Sequence, residues 1–411
     1  MTLLFIYPIF FVLLFLRSKK RPLVSTFNMI LCFFFLGAVS ACYIRFLPNL
    51  DFISIPLSLT AMLYHCIMLY LLLAPFKSYD DFSCKYFRKS NLFIEAGLVF
   101  TIIPISLYYI YLSVNHLNLN MIMVDVTSMR GLLVETSEEL GTLNTYLKAF
   151  CTTFHGMALS IAFYYMIYKP EKQLLIMLLI LCSMAQVIHS LNFAAREYVI
   201  KYIFVAFMLF TLLKNKISIG WLLRIKRFIF ILSGMAILFF SIVTIVRFTM
   251  SDRYNNPLDS VLSYLGQGFI YFSQRFTDFP NGIFGGAQSF PIFTGGEKAD
   301  VYNINSIVNS DYFLNSFSTT IGSWIMDCGI FYTTIACIIH SLIFRYIGKF
   351  SLDIFTLYYL IYAYEFIFSC LFFYNDTIGK LRVETFLFIA LLDIINRQLV
   401  KISNYVVKKN N

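Results

Sequence analysis

Five arginines, Arg130, Arg196, Arg247, Arg253 and Arg275, stand outside the main basic clusters and offer planar guanidinium forks suited to diphosphate oxygens. Arg196 closes Asn192-Phe-Ala-Ala-Arg and opens an apolar run, so its guanidinium would sit near the headgroups of a bilayer; a merely snorkelling Arg would stand in the same place. Arg253 and Arg275 are 22 residues apart, up to about 33 Å along a helix, and reach one phosphate only if the chain folds back. Asp252, Asp259, Asp278, Glu297, Asp300 and Asp311 follow Arg247, and any of them could take a proton from an attacking hydroxyl. Asp278, close behind Arg275, is the preferred base, with plain solvation as the alternative account. Asp327 and Glu365 differ because they fall within apolar runs, where an ionisable group marks function or an ion pair.

What must position these groups is a membrane bundle. The 411 residues are 59% hydrophobic and 18% aromatic but only 13% charged, with a mean hydropathy of +0.75. A soluble domain carries about 25% charged residues and could not bury so much Phe, Leu, Ile and Tyr. At about 20 apolar residues per span, eleven candidates emerge: 2–16, 24–44, 52–75, 92–114, 148–168, 173–191, 198–213, 228–247, 320–343, 353–373 and 382–396. An all-α polytopic fold is expected. The first run precedes Arg17, Lys19, Lys20 and Arg21, the reverse of a cleavable signal's order, and reads as a retained span. With the amino terminus outside, 21 of the 32 basic residues fall in cytoplasmic connections, as membrane topology favours. The carboxyl terminus is then inside. The net charge of +10 becomes a topology signal rather than a nucleic-acid surface.

Three parts follow: eight spans over 1–247 with an outer connection at 115–147, a large outer segment at 248–318, and three spans with a cytoplasmic tail over 319–411. The large segment holds 7 of the 18 glycines together with many Tyr and Phe. Disordered linkers are poor in aromatics, so a compact cap is expected. Asn256 as helix cap, Pro257 at the first helical position and Asp259 in the first turn open a helix there. Leu258, Val261, Leu262, Leu265, Phe269, Phe272 and Phe276 then recur at helical spacing. This helix is expected to lie at the outer interface, either capping the bundle or walling a groove for a lipid-linked molecule. Tyr254, Tyr264 and Tyr271 suit sugar stacking, and packing within the cap accounts for them equally well.

None of the five histidines falls in the large segment, and no two have metal-ligand spacing. The nine cysteines sit mostly in apolar runs and read as small hydrophobes. No P-loop, dinucleotide fingerprint or catalytic Ser motif is present. No metal and no other cofactor is expected.

Four short stretches carry a resemblance. Tyr264-Leu-Gly-Gln-Gly-Phe-Ile-Tyr-Phe, Phe284-Gly-Gly-Ala-Gln-Ser-Phe-Pro-Ile-Phe, Asn315-Ser-Phe-Ser-Thr-Thr-Ile-Gly followed by Asp327-Cys-Gly, and Ala195-Arg196 at a span start are similar to motifs of the Wzy-type O-antigen polymerases. In that family Asp327-Cys-Gly resembles an Asp-Phe-Gly element, so Cys328 replaces an aromatic residue, and Ile321 stands where some members have Arg. The resemblance implies transfer of a growing glycan from undecaprenyl diphosphate to the non-reducing end of a new lipid-linked repeat unit. It places the reaction at the outer face of a bacterial cytoplasmic (inner) membrane, without nucleotide or metal. Implied partners are undecaprenyl-diphosphate-linked oligosaccharides and membrane lipid, with a chain-length regulator and flippase of the same pathway and no nucleic acid.

Such chemistry fits the residues already singled out. Arg196, with Arg253 or Arg275, would meet the diphosphate, and Asp278 would act as base. Arg130, Arg247, Tyr254, Tyr264, Tyr271, Asn315 and Asp327 would contact the rest of the substrate. The other class to weigh is a lipid-linked oligosaccharide flippase or another multispan transporter. That class predicts repeat symmetry and short outer connections, whereas this chain has one large outer segment.

Overall fold

The computed structural model describes residues 2–18, 25–47, 56–79, 88–115, 141–191, 197–249, 257–277, 281–287, 289–290, 319–372 and 382–410. Among these the chain forms thirteen α-helices. They are α1 (Ile6–Arg17), α2 (Thr26–Ile44), α3 (Leu59–Leu73), α4 (Leu92–Asn115), α5 (Gly141–Tyr168), α6 (Gln173–Ser183) and α7 (Ala185–Leu191). After them come α8 (Glu197–Leu213), α9 (Ile219–Thr249), α10 (Pro257–Arg275), α11 (Thr319–Ile347), α12 (Ile354–Phe372) and α13 (Arg382–Asn410). Caps start several of these helices. Ser25 accepts from Asn28 N at 3.2 Å, Ser58 from Ala61 N at 3.3 Å and Asp353 from Thr356 N at 2.8 Å, each satisfying an end N–H.

Among the described residues, six helices, or seven if the pair α6 and α7 counts as one span bent by 44°, are long and apolar enough to cross a membrane. The segments Leu3–Arg17 and Tyr198–Leu213 are shorter apolar helices. The helices thus have the length and composition of a multi-pass membrane protein, and each of the eleven apolar runs falls largely on a helix or on that bent pair.

Two compact units divide the chain. The first comprises Met1–Phe82, Thr244–Lys349 and Ala363–Val383, and the second Ser83–Val243, Phe350–Tyr362 and Glu384–Asn411. In the first unit, the ends of α3 and α11 meet where Tyr79 donates to Phe344 O at 3.1 Å, and Lys77, Arg345 and Lys349 all lie at this end. The opposite ends gather around α10. It touches Tyr43 near the end of α2, Ser58 before α3, Thr319 at the start of α11 and Leu371 near the end of α12.

The second unit is laced by polar pairs of the kind that join helices in an apolar solvent. Thr152 donates to Gln186 at 2.8 Å, and Ser183 bonds Tyr202 at 2.8 Å. Glu95 accepts from Tyr165 and from Lys169. Asp393 of α13 accepts the Tyr359 hydroxyl of α12 at 3.2 Å and, within its own helix, the Arg397 fork at 2.7 and 2.9 Å.

Candidate functional site at a broken helix

Helix α10 begins at Pro257 as the sequence predicts, with Asp259 in its first turn accepting a hydrogen bond from Tyr43 at 3.0 Å. Asn256 lies outside the described residues. The face it buries extends beyond the apolar stripe. Phe269 and Phe272 are buried, but Leu258 and Val261 are exposed by 55% and 44%, while Ser263, Gly266, Ile270 and Ser273 are fully buried. The reason is backbone approach: a Cβ at Gly266 would lie 2.7 Å from Ala41 Cα, and one at Gly37 would lie 3.0 Å from Leu265 O. Small residues let two helices meet this closely, which is the packing logic of helices in lipid, where apolar side chains can face outward. α10 therefore packs lengthwise on α2 through its small residues, with Phe269 and Phe272 buried beside them.

The far end of α10 is aromatic and tightly held. Phe269 meets Tyr7, Phe11, Phe34 and His65, with ring centroids 4.8 to 6.4 Å apart. Tyr64 of α3 packs on Phe276 at 5.3 Å and bonds Thr334 of α11 at 3.2 Å. Tyr264, Tyr271 and Arg275 stand at i, i+7 and i+11, which puts all three on one face of α10. All are half-buried, and Arg275 sits in the last turn, where a cation suits the helix dipole.

Helix α11 is broken at Gly329, whose φ of 87° and ψ of 163° belong to glycine alone. A break inside an apolar helix frees backbone groups that lipid cannot satisfy. The glycine-rich segment 281–287 satisfies them. Gly282 N donates to Ile325 O at 3.0 Å, Gly286 N donates to Asp327 O at 3.1 Å, and Asn281 Oδ1 accepts from Ile330 N at 2.7 Å. To follow this path Gly282, Gly285 and Gly286 take positive φ. The Asp327 carboxylate completes the clasp: one oxygen accepts from Ser289 N at 2.9 Å and from the Ser289 hydroxyl. Asp327 and Ser289 are both buried.

Of the residues singled out from sequence, Arg275, Tyr264, Tyr271 and Asp327 fall in this first unit. Arg130, Arg196, Arg253, Tyr254, Asp278 and Asn315 lie outside the described residues. Arg247 belongs to α9, with its side chain outside the described set. Asp327 is placed as a fastener of the loop. Glu365, the other ionisable group in an apolar run, has an ion-pair partner in Arg382 at 2.8 Å, and both are buried. Asn281 and Ser289 carry the clasp although neither is among the site residues read from sequence. Ser289 lies within a stretch that carries the resemblance, and Asn281 stands beside the glycines just before it.

Two of the stretches behind the family resemblance, Phe284–Phe290 and Asp327-Cys-Gly, are thus in direct hydrogen-bond contact, and a third, Tyr264–Phe272, lies on the helix of the same unit. Comparison of the chain with known family models, curated proteins and solved structures gives no match.

Proposed function

We propose that this chain polymerises lipid-linked oligosaccharide repeat units, of O-antigen or capsule type, at the outer face of a bacterial cytoplasmic membrane. In this reading eleven spans cross the membrane with the amino terminus outside, and the α10 end of the first unit faces outward. The basic residues Lys77, Arg345 and Lys349 at the opposite end of that unit support this sidedness. The observation that carries the reading is the contact between the Gly286–Ser289 loop and Asp327, since it joins two of the family-like motifs at one place.

The chemistry proposed is a displacement at an anomeric carbon. A hydroxyl oxygen of the new repeat unit attacks that carbon, its proton passes to a carboxylate such as Asp278, and the bond to the diphosphate breaks with its electron pair on the leaving group. Arg275, with Arg196 or Arg253, meets the charge growing on undecaprenyl diphosphate and lowers the barrier by binding it more tightly as it forms. Tyr264 and Tyr271, on the face of α10 that bears Arg275, offer rings and hydroxyls to the sugars. Arg130, Arg247, Tyr254 and Asn315 contribute further contacts. The chain would work beside a flippase and a chain-length regulator.

Two helix discontinuities favour a second reading. The break at Gly329 and the 44° bend between α6 and α7 are discontinuities of the kind transporters use to form midplane sites. A gene deletion separates the two. Loss of a polymerase leaves the lipid core capped by one repeat unit on gels, whereas loss of a flippase leaves none.

A further inference from the structure

The last turn of α10 is held by a chain of side chains that the proposed reaction does not touch. Ser273 donates its hydroxyl proton to Phe269 O, one turn back, at 2.7 Å. With that proton committed, Ser273 Oγ accepts from the Tyr7 hydroxyl at 2.9 Å, and the Tyr7 oxygen accepts from His65 Nδ1 at 3.0 Å. The opposite direction would place a proton on His65 Nε2, which is buried with no hydrogen-bond partner. An orphan N–H is rarer in proteins than an orphan acceptor, so the chain fixes His65 as the Nδ1–H tautomer. The imidazole stacks on Phe272 at 4.2 Å.

All three side chains are buried, so they act through what they hold. Ser58 N, at the cap of α3, adds a hydrogen bond to Ser273 O at 2.9 Å. The turn that carries Arg275 is therefore pinned from α1 through Tyr7 and from α3 through His65 and Ser58. Its height along α2 is set independently, by the contact of Gly266 with Ala41. Two constraints on a rigid helix leave its terminal side chain a narrow range of positions.

The geometry points to Tyr7, His65 and Ser273 as positioning residues that set where the Arg275 guanidinium stands, and thereby the affinity of the chain for a lipid diphosphate. This rests on the proposal that Arg275 contacts the diphosphate. The test uses the full-length protein in detergent micelles and measures its affinity for undecaprenyl diphosphate beside its melting temperature. Tyr7→Phe and Ser273→Ala are each expected to weaken binding roughly fivefold to tenfold, the scale of one ordinary hydrogen bond. The double variant is expected to bind no worse than either single one, because both cut the same chain.

Arg275→Ala separates the two levels of the argument. If it weakens binding while Tyr7→Phe and Ser273→Ala bind as the wild type does and only melt earlier, the three residues serve packing alone and the inference is overturned. If Arg275→Ala itself binds as the wild type does, the role given to Arg275 fails and the inference fails with it. Ser273→Ala, which removes a single oxygen, carries the test should Tyr7→Phe not accumulate. Nitrogen-15 spectra of histidine-labelled protein give a second readout, in which a His65 ring protonated at Nε2 would also overturn the chain as drawn.

Discussion

Ser289 and Asp327 are bound through two hydrogen bonds to a single carboxylate oxygen, one from the serine backbone N–H at 2.9 Å and one from its hydroxyl. The pair joins a glycine-rich loop to a helix two residues before its break, and so couples the loop's position to the break itself. Burial makes either partner costly to leave alone.

Removing the Ser289 hydroxyl should cost less than removing the carboxylate. Ser289→Ala keeps the backbone bond and is expected to lower stability by about 1–2 kcal/mol, whereas Asp327→Ala strands both donors and should cost about 3 kcal/mol. Thermal unfolding in detergent measures both. An Asp327→Asn protein that melts like the wild type but makes no polymer would place Asp327 in the reaction instead of in the fold.

The glycines divide into those the fold requires and those it merely tolerates. Gly329→Ala forces a side chain into φ 87° and brings its Cβ 2.9 Å from Asn281 Oδ1, a change expected to destabilise by about 1–3 kcal/mol. Gly266→Ala drives a Cβ into the Ala41 backbone and should cost at least as much. Gly97, within α4, has open space where a Cβ would stand, with nothing within 4 Å, so Gly97→Ala should stabilise by up to about 1 kcal/mol. Melting temperatures of the three variants, taken side by side, test the contrast.

The Glu365 and Arg382 pair predicts a compensation. Glu365→Leu alone leaves a buried guanidinium without its carboxylate and is expected to cost about 3–5 kcal/mol. Adding Arg382→Met to that variant should restore most of the loss. A double variant no more stable than Glu365→Leu would show that Arg382 has other tasks.

Much of the helical framework was legible in the sequence, because apolar length and charge placement govern helices in lipid. The start of α10 at Pro257 followed from local rules alone, since a proline at the first helical position and an acid in the first turn act on the backbone beside them. The small-residue part of its buried face did not. Hydrophobic spacing selects large apolar residues, among them the buried Phe269 and Phe272, whereas close backbone contact with Ala41 selects Gly266. The break at Gly329 was equally hidden, since the run from Thr319 to Ile347 has the length and hydropathy of one continuous span and its partner groups lie far earlier in the chain, at Asn281, Gly282 and Gly286. Asn281 and Ser289 gain their roles only from that long-range pairing.

Purified protein in liposomes, supplied with lipid-linked single repeat units on the face bearing α10, shows whether the chain polymerises them. With a metal chelator present and nucleotide absent, a ladder of lengthening glycans is expected, with release of undecaprenyl diphosphate in step with each addition. Movement of intact single units across the bilayer with no ladder would contradict the proposed polymerisation.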